Sequence, residues 1–141
     1  MDSTWCYLYR MVKPASKTGR VFKTAWFSKA AKRARINDDA LWSAIEQVMQ
    51  GQADDLGGGV FKKRLNKNMH RAIILAKAGR SWVYAYMFAK KDRDNIEDDE
   101  LTAFRKLAKT YATLDDQQIK QLVQNGDLTE ICHDDETQVQ E

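Results

Sequence analysis

The 141-residue chain is short of the residues that staple or stiffen small proteins. Pro14 is its only proline, so ring-imposed breaks are absent from residue 15 onward. Cys6 and Cys132 lie near opposite ends and belong to no CxxC pair. Only His70 and His133 could join them, and no four-ligand spacing for zinc results, so no metal and two free thiols are expected. No apolar run is long enough for a membrane-spanning helix. Trp5, Tyr7, Leu8 and Met11 are interrupted by Arg10 and lead to no apolar core or cleavage site, which makes a poor signal peptide. Cytoplasmic residence is therefore expected. Gly57-Gly58-Gly59 lacks the flanking Gly-Lys-Ser/Thr or Gly-x-Gly-x-x-Gly pattern of a nucleotide loop. A flexible turn is the expected role, and no cofactor is expected.

What is abundant is positive charge, and it is segregated. Residues 20–96 hold 16 Lys/Arg against 7 Asp/Glu, a net of +9, whereas residues 97–141 hold 4 against 12, a net of −8. A basic body implies a polyanionic partner, nucleic acid first; a lysine-rich solvated surface is the plainer reading of charge alone.

Residues 1–19 read as an irregular extension, 20–131 as one α+β domain, and 132–141 as an acidic disordered tail. Val21–Phe27 is β-branched and aromatic and predicts a first strand, with Ser28 capping a short basic helix over 29–35. Asn37 caps a second helix, with Ile36 and Leu41 placed as a hydrophobic staple and Gly51 as its stop. Asp54–Gly59 reads as a loop. Three strands, 60–66, 70–78 and 81–89, follow with short links and predict an antiparallel meander. The last has apolar residues on both faces, with Trp82, Tyr84, Tyr86 and Phe88 expected on one side, and so reads as a central strand. Asp98–Ala112 predicts a helix with acidic residues in its first turn. Asp115 and Gln118 form a capping box for another, which ends at Gly126 before a short extended piece, Leu128–Ile131.

The candidate chemistry lies in the basic residues of the meander. Lys62 and Arg64 are two apart and share a strand face, while Lys63 points the other way. Arg71 opens the next strand, and Lys90, Lys91 and Arg93 leave the end of the last. An Arg fork matches two phosphate oxygens. RNA cleavage by the 2′-OH needs proton removal, stabilisation of charge on the phosphorus oxygens, and protonation of the 5′-oxygen. Arginine suits the second task. His70 is the one near-neutral group in the body of the chain, although an exposed turn histidine is its commoner fate. A lysine whose pKa is lowered by neighbouring cations is the other candidate base. Phe61, Lys63, Lys67, Arg80 and Lys90 are candidate RNA contacts. Tyr84 and Tyr86 have the chemistry to stack on bases, but their alternation favours core packing.

The blocks Arg20-Val-Phe-Lys-Thr-Ala-Trp-Phe27, Asp55-Leu-Gly-Gly-Gly-Val-Phe-Lys-Lys-Arg-Leu65, Phe88-Ala-Lys-Lys-Asp-Arg-Asp-Asn-Ile96 and Glu100-Leu-Thr-Ala-Phe-Arg-Lys-Leu-Ala108 occur in order. In them the chain resembles the RelE/ParE toxin superfamily, in particular the phage-associated HigB-like branch, over residues 20–131. The resemblance implies an N-terminal strand, a two-helix hairpin, a three-strand antiparallel meander and C-terminal helices. It implies a metal-independent, ribosome-dependent mRNA endoribonuclease that inhibits translation and is neutralised by a cognate antitoxin. It places catalytic basic residues at Lys62, Arg64, Arg71 and Lys91 or Arg93. Several relatives carry a catalytic Tyr or His shortly after the last strand, where this chain reads Asp92-Arg93-Asp94-Asn95-Ile96. Two other readings stay open: a non-catalytic toxin of another target such as DNA gyrase, and a nucleic-acid-binding regulator.

Overall fold

The computed structural model describes residues 19–77 and 81–131. The expected extension, the link that contains Arg80 and the acidic tail therefore lie outside the described residues, save Gly19. The architecture is α+β, as expected, built on one mixed six-stranded sheet with helices on both faces.

Strand β1 (Val21–Thr24) is shorter than its aromatic run suggests. Thr24, not Ser28, starts the first helix: its Oγ1 accepts a hydrogen bond from the Phe27 amide at 3.1 Å. Ala25, Trp26 and Phe27 are thus the first turn of α1 (Ala25–Arg33). The reason is burial. Phe27 and Ala31, four apart, are the two helix residues that reach the core. Arg35, at φ +60°, turns the chain into α2 (Asp38–Met49). Asn37 Oδ1 accepts from the Ala40 amide, and Ile36 and Leu41 are both buried, so the predicted cap and staple hold.

The expected loop at 54–59 is instead an edge strand, β2 (Asp54–Gly57), paired antiparallel with β3 (Val60–Leu65). Nothing in Asp-Asp-Leu-Gly favours a strand. The pairing with β3 makes it one, and Arg105 reaches back to the Leu56 and Gly57 carbonyls. The turn that follows needs glycine: Gly58 stands at φ +66°, and a Cβ there would sit 2.7 Å from Arg105 Cγ.

The meander continues through β4 (His70–Lys77) and β5 (Ser81–Ala89), as predicted. Helices α3 (Asp98–Ala112) and α4 (Asp116–Asn125) follow, and β6 (Leu128–Ile131) closes the described chain. Asp115 and Gln118 form the predicted reciprocal capping box, and Gly126 ends α4 at φ +85°. The sheet order is β2-β3-β4-β5-β1-β6. Strand β1 runs parallel to β5 and antiparallel to β6. Arg20 ties these strands together by donating to both carboxylate oxygens of the buried Glu130, at 3.0 and 2.9 Å. A buried carboxylate requires such partners.

Two cores result. On one face Phe27, Leu41, Trp42 and Ile45 pack on Ile74, Tyr84 and Met87. On the other, Ala108, Ile119 and Val123 pack on Phe22, Ile73, Leu75 and Val83. Each buried large side chain contributes about 1.5–3 kcal/mol through transfer from water. Strand β5 is covered on both sides, as its composition predicted.

One irregularity governs the site. Between the pairs Ile73–Tyr86 and Ile74–Tyr84, β5 carries an extra residue, Ala85. This bulge reverses the alternation. Trp82 and Tyr84 face α1 and α2, whereas Tyr86 and Phe88 face the side of α3. The expectation that the four aromatics share one face is therefore corrected.

Candidate nucleic-acid interface

Strand periodicity places Lys62 and Arg64 with Val60 on the α3 side of the sheet, and Phe61, Lys63 and Leu65 on the other. Cross-strand register then builds two rows. Arg64 stands opposite Arg71, and Arg71 opposite Phe88. Lys62 stands opposite Ile73, and Ile73 opposite Tyr86. Adjacent strands are about 4.8 Å apart, so the cations and aromatics form one continuous surface. Helix α3 rests on the far end of this face, where Ala108 approaches Gly59. Arg64 is left exposed.

Several partners fix the row. Lys62 Nζ lies 3.8 Å from Asp54 on the neighbouring edge strand, with 15% of its side chain exposed. Arg71 Nη1 donates to the Asn68 and His70 carbonyls at 3.1 and 3.2 Å. Those bonds brace a turn in which Asn66, Lys67 and Asn68 all have positive φ, at 54°, 54° and 71°. Non-glycine residues in that region cost energy, so the bracing and the turn support each other. Like charges directly opposite on adjacent strands also destabilise a sheet. The Arg64–Arg71 pair is therefore a site that an anion would relieve.

Arg93 reaches the same surface from the loop after β5. Its guanidinium lies 5.4 Å from the Phe88 ring centroid, donates to the Asn95 carbonyl at 3.0 Å, and approaches the Tyr86 hydroxyl at 3.5 Å. Glu100, in the first turn of α3, accepts from both of its terminal nitrogens. The Arg93 hydrogen bonds, and then the Glu97 amide, hold the Glu100 carboxyl below its ordinary pKa. A depressed carboxyl contributes stability above its unfolded pKa and loses it as pH falls through the folded one. The Glu100→Gln variant should therefore have a lower urea midpoint than wild type at neutral pH, and the two should converge in strong acid. Equal midpoints at neutral pH would show that the pair contributes nothing.

The remaining candidates are scattered. Lys63 faces α2, and partial burial, then Arg64, lowers its pKa, but it lies on the side opposite Lys62, Arg64 and Arg71. His70 stands opposite Leu65 on that same far side, with Nδ1 3.2 Å from Asn66 Nδ2. With Lys67, Lys90 and Lys91 it lines an open cleft of about 680 Å³ at the sheet end. Phe61 packs edge-on against Trp82, centroids 5.5 Å apart, also away from the basic row. Tyr84 is core: its hydroxyl donates to the Leu41 carbonyl at 2.6 Å, and burial pushes its pKa up.

Tyr86 is half-buried and packed against the second core, and Trp26, not singled out from sequence, rests on it. Tyr86 packs on Phe88, Phe104 and Trp26, with centroids 6.2, 5.9 and 4.8 Å away. Only the Ala85 bulge brings it to the basic face, and no local pattern signals a bulge. Among the described residues, no helix is long and apolar enough to cross a membrane.

No match is found among curated proteins or among solved structures. The family model described as the RelE toxin of the RelE/RelB toxin–antitoxin system matches residues 19–131, which include every described element and the whole basic row. The chain thus belongs to the RelE toxin family, the toxin side of a toxin–antitoxin pair.

Proposed function

We propose that this toxin is a ribosome-dependent mRNA endoribonuclease of the HigB-like branch, acting in the cytoplasm and held inactive by a cognate antitoxin. The observation that carries the reading is the Arg64–Arg71 cross-strand pair on an open face, with Lys62 and Arg93 beside it. In this reading the 2′-oxygen attacks phosphorus and the P–O5′ bond breaks. A proton leaves the 2′-hydroxyl and another reaches the 5′-oxygen, and a cyclic phosphate and a 5′-hydroxyl remain. Arg64 and Arg71 bind the non-bridging oxygens and stabilise the charge that grows on them. Lys62 and Arg93 extend the same field, and exposed Lys91 holds the adjoining backbone. Lys67 and Lys90 at the sheet end, with Arg80, serve the wider RNA track, whereas Phe61 and Lys63 lie on the other face and are left out of it. Two groups are candidates for proton transfer: the Tyr86 hydroxyl beside Arg93, and His70, which lies on the far face but borders the same hollow as Tyr86 and Arg93 at the strand end. The antitoxin covers the basic face with an acidic or helical segment, so that binding weakens as salt rises.

The loop Asp92–Ile96 has neither Tyr nor His. That absence favours the second reading, a non-catalytic toxin acting on another target such as DNA gyrase. Brief induction of the full chain in a bacterium, with 5′ ends mapped by primer extension, separates the two. The expected result is growth arrest with new ends inside reading frames, and none in a transcript whose start codon is removed. Arrest with intact mRNA overturns the nuclease in favour of the second reading. Cutting that ignores the start codon removes the ribosome from the mechanism.

A further inference from the structure

Trp26 is half exposed, at 50%, whereas the other described tryptophans are buried (Trp42) or half-buried (Trp82). It belongs to the first turn of α1, and its ring rests on Tyr86 at 4.8 Å with a 31° tilt. Tyr86 is in turn packed against Phe88 and Phe104. Trp26, Ala30 and Arg33, spaced by four and three, share one stripe of α1. Ala30 and Arg33 line an open hollow of about 440 Å³ together with Tyr86, Phe88 and Arg93. A large aromatic surface therefore borders a hollow that carries two guanidiniums. It adjoins Arg71 through Phe88.

We propose that Trp26, backed by Tyr86, is a nucleobase-stacking platform that seats a nucleotide flanking the scissile phosphate. This rests on the nuclease reading and adds a residue that determines how RNA is placed. Every base presents a π-face, and stacking on an indole joined to backbone contacts with arginine is how single strands are held. The charge around the ring argues for RNA over a protein partner: Arg33 and Arg93 line the hollow and Arg71 adjoins its aromatic floor, against the Asp92 carboxylate in the lining and Glu100, which pairs with Arg93. The platform also orients the sugar, because a base fixed on Trp26 leaves its backbone to run toward Arg71.

The test compares wild type, Trp26→Ala and Trp26→Phe as full chains in a translating extract programmed with one mRNA, with 5′ ends mapped. Trp26→Ala is expected to slow cutting by roughly 5- to 150-fold, the span of one base–aromatic stack. It should also flatten the base preference beside the cut. Trp26→Phe should restore most of both, and all three should keep the same thermal midpoint and co-purify with antitoxin. Cutting by Trp26→Ala at the wild-type rate with the same base profile overturns the platform and leaves the nuclease reading standing. Normal cutting with lost antitoxin binding also overturns it, and assigns Trp26 to a protein contact. A wild-type chain that leaves mRNA whole overturns the nuclease reading itself, and the platform with it.

Discussion

Arg71→Ala is expected to abolish growth arrest and to slow mRNA cutting by about 100- to 1,000-fold, the usual loss when one preorganised donor to a developing oxyanion is removed. Arg71 stands between Arg64 and Phe88 in the cross-strand row, and its guanidinium is braced by the Asn68 and His70 carbonyls. Bracing means that little order must be found when RNA binds. Arg71→Lys keeps the charge and loses the fork, so partial activity is expected. Lys77→Ala, on the same strand about 20 Å away by strand rise, should behave as wild type. The urea midpoint of Arg71→Ala should change little, because relief of one of two opposed like charges offsets the loss of the two bonds that brace the 66–68 turn. Full toxicity of a Lys62/Arg64/Arg71 triple alanine variant would remove the basic row from the mechanism altogether.

Phe27→Ala is expected to cost about 3–5 kcal/mol of stability, a large share of the roughly 5–15 kcal/mol that holds a domain. Phe27 is fully buried, and its ring stacks on Tyr84 with centroids 4.7 Å apart. Tyr84 in turn donates to the Leu41 carbonyl, so this one contact joins α1, β5 and α2. Losing the ring opens a cavity where these three elements meet. The check is urea unfolding followed by circular dichroism, with the slope unchanged and the midpoint lowered. Phe27→Leu should lose much less. A loss below about 1 kcal/mol for the alanine variant would mean that the site collapses around the gap, or that Phe27 is not where the helix puts it.

Phe27 also marks where local reading of the chain stops working. Val21–Phe27 has the composition of a strand, and only burial of Phe27 and Ala31 on one side decides that the last three residues are helical. Asp54–Gly57 has no strand pattern and becomes β2 because β3 offers it an edge. In contrast, α2, α3 and α4 were legible almost to the residue. Asn37, the acidic first turn at Asp98–Glu100 and the Asp115–Gln118 box are signals between residues at most four apart. The meander was legible for the same reason, since its links are short.

For the site, the shared face of Lys62 and Arg64 follows from strand period alone, and the basic body follows from counting. Arg71 was expected to join them, and register places it opposite Arg64. Lys63 was expected on the other face and lies there, and His70, a candidate base from sequence, stands opposite Leu65 on that same far face. The sequence by itself determined the caps of α2 and α4, the meander and the charge of the surface, because these depend on neighbours along the chain. Tertiary structure alone decided that β1 lies between β5 and β6, that Arg93 folds onto Glu100, and that the Ala85 bulge turns Tyr86 toward Trp26. The strand order and the bulge depend on which distant strand supplies the register, and a one-residue shift in register reverses every side chain after it.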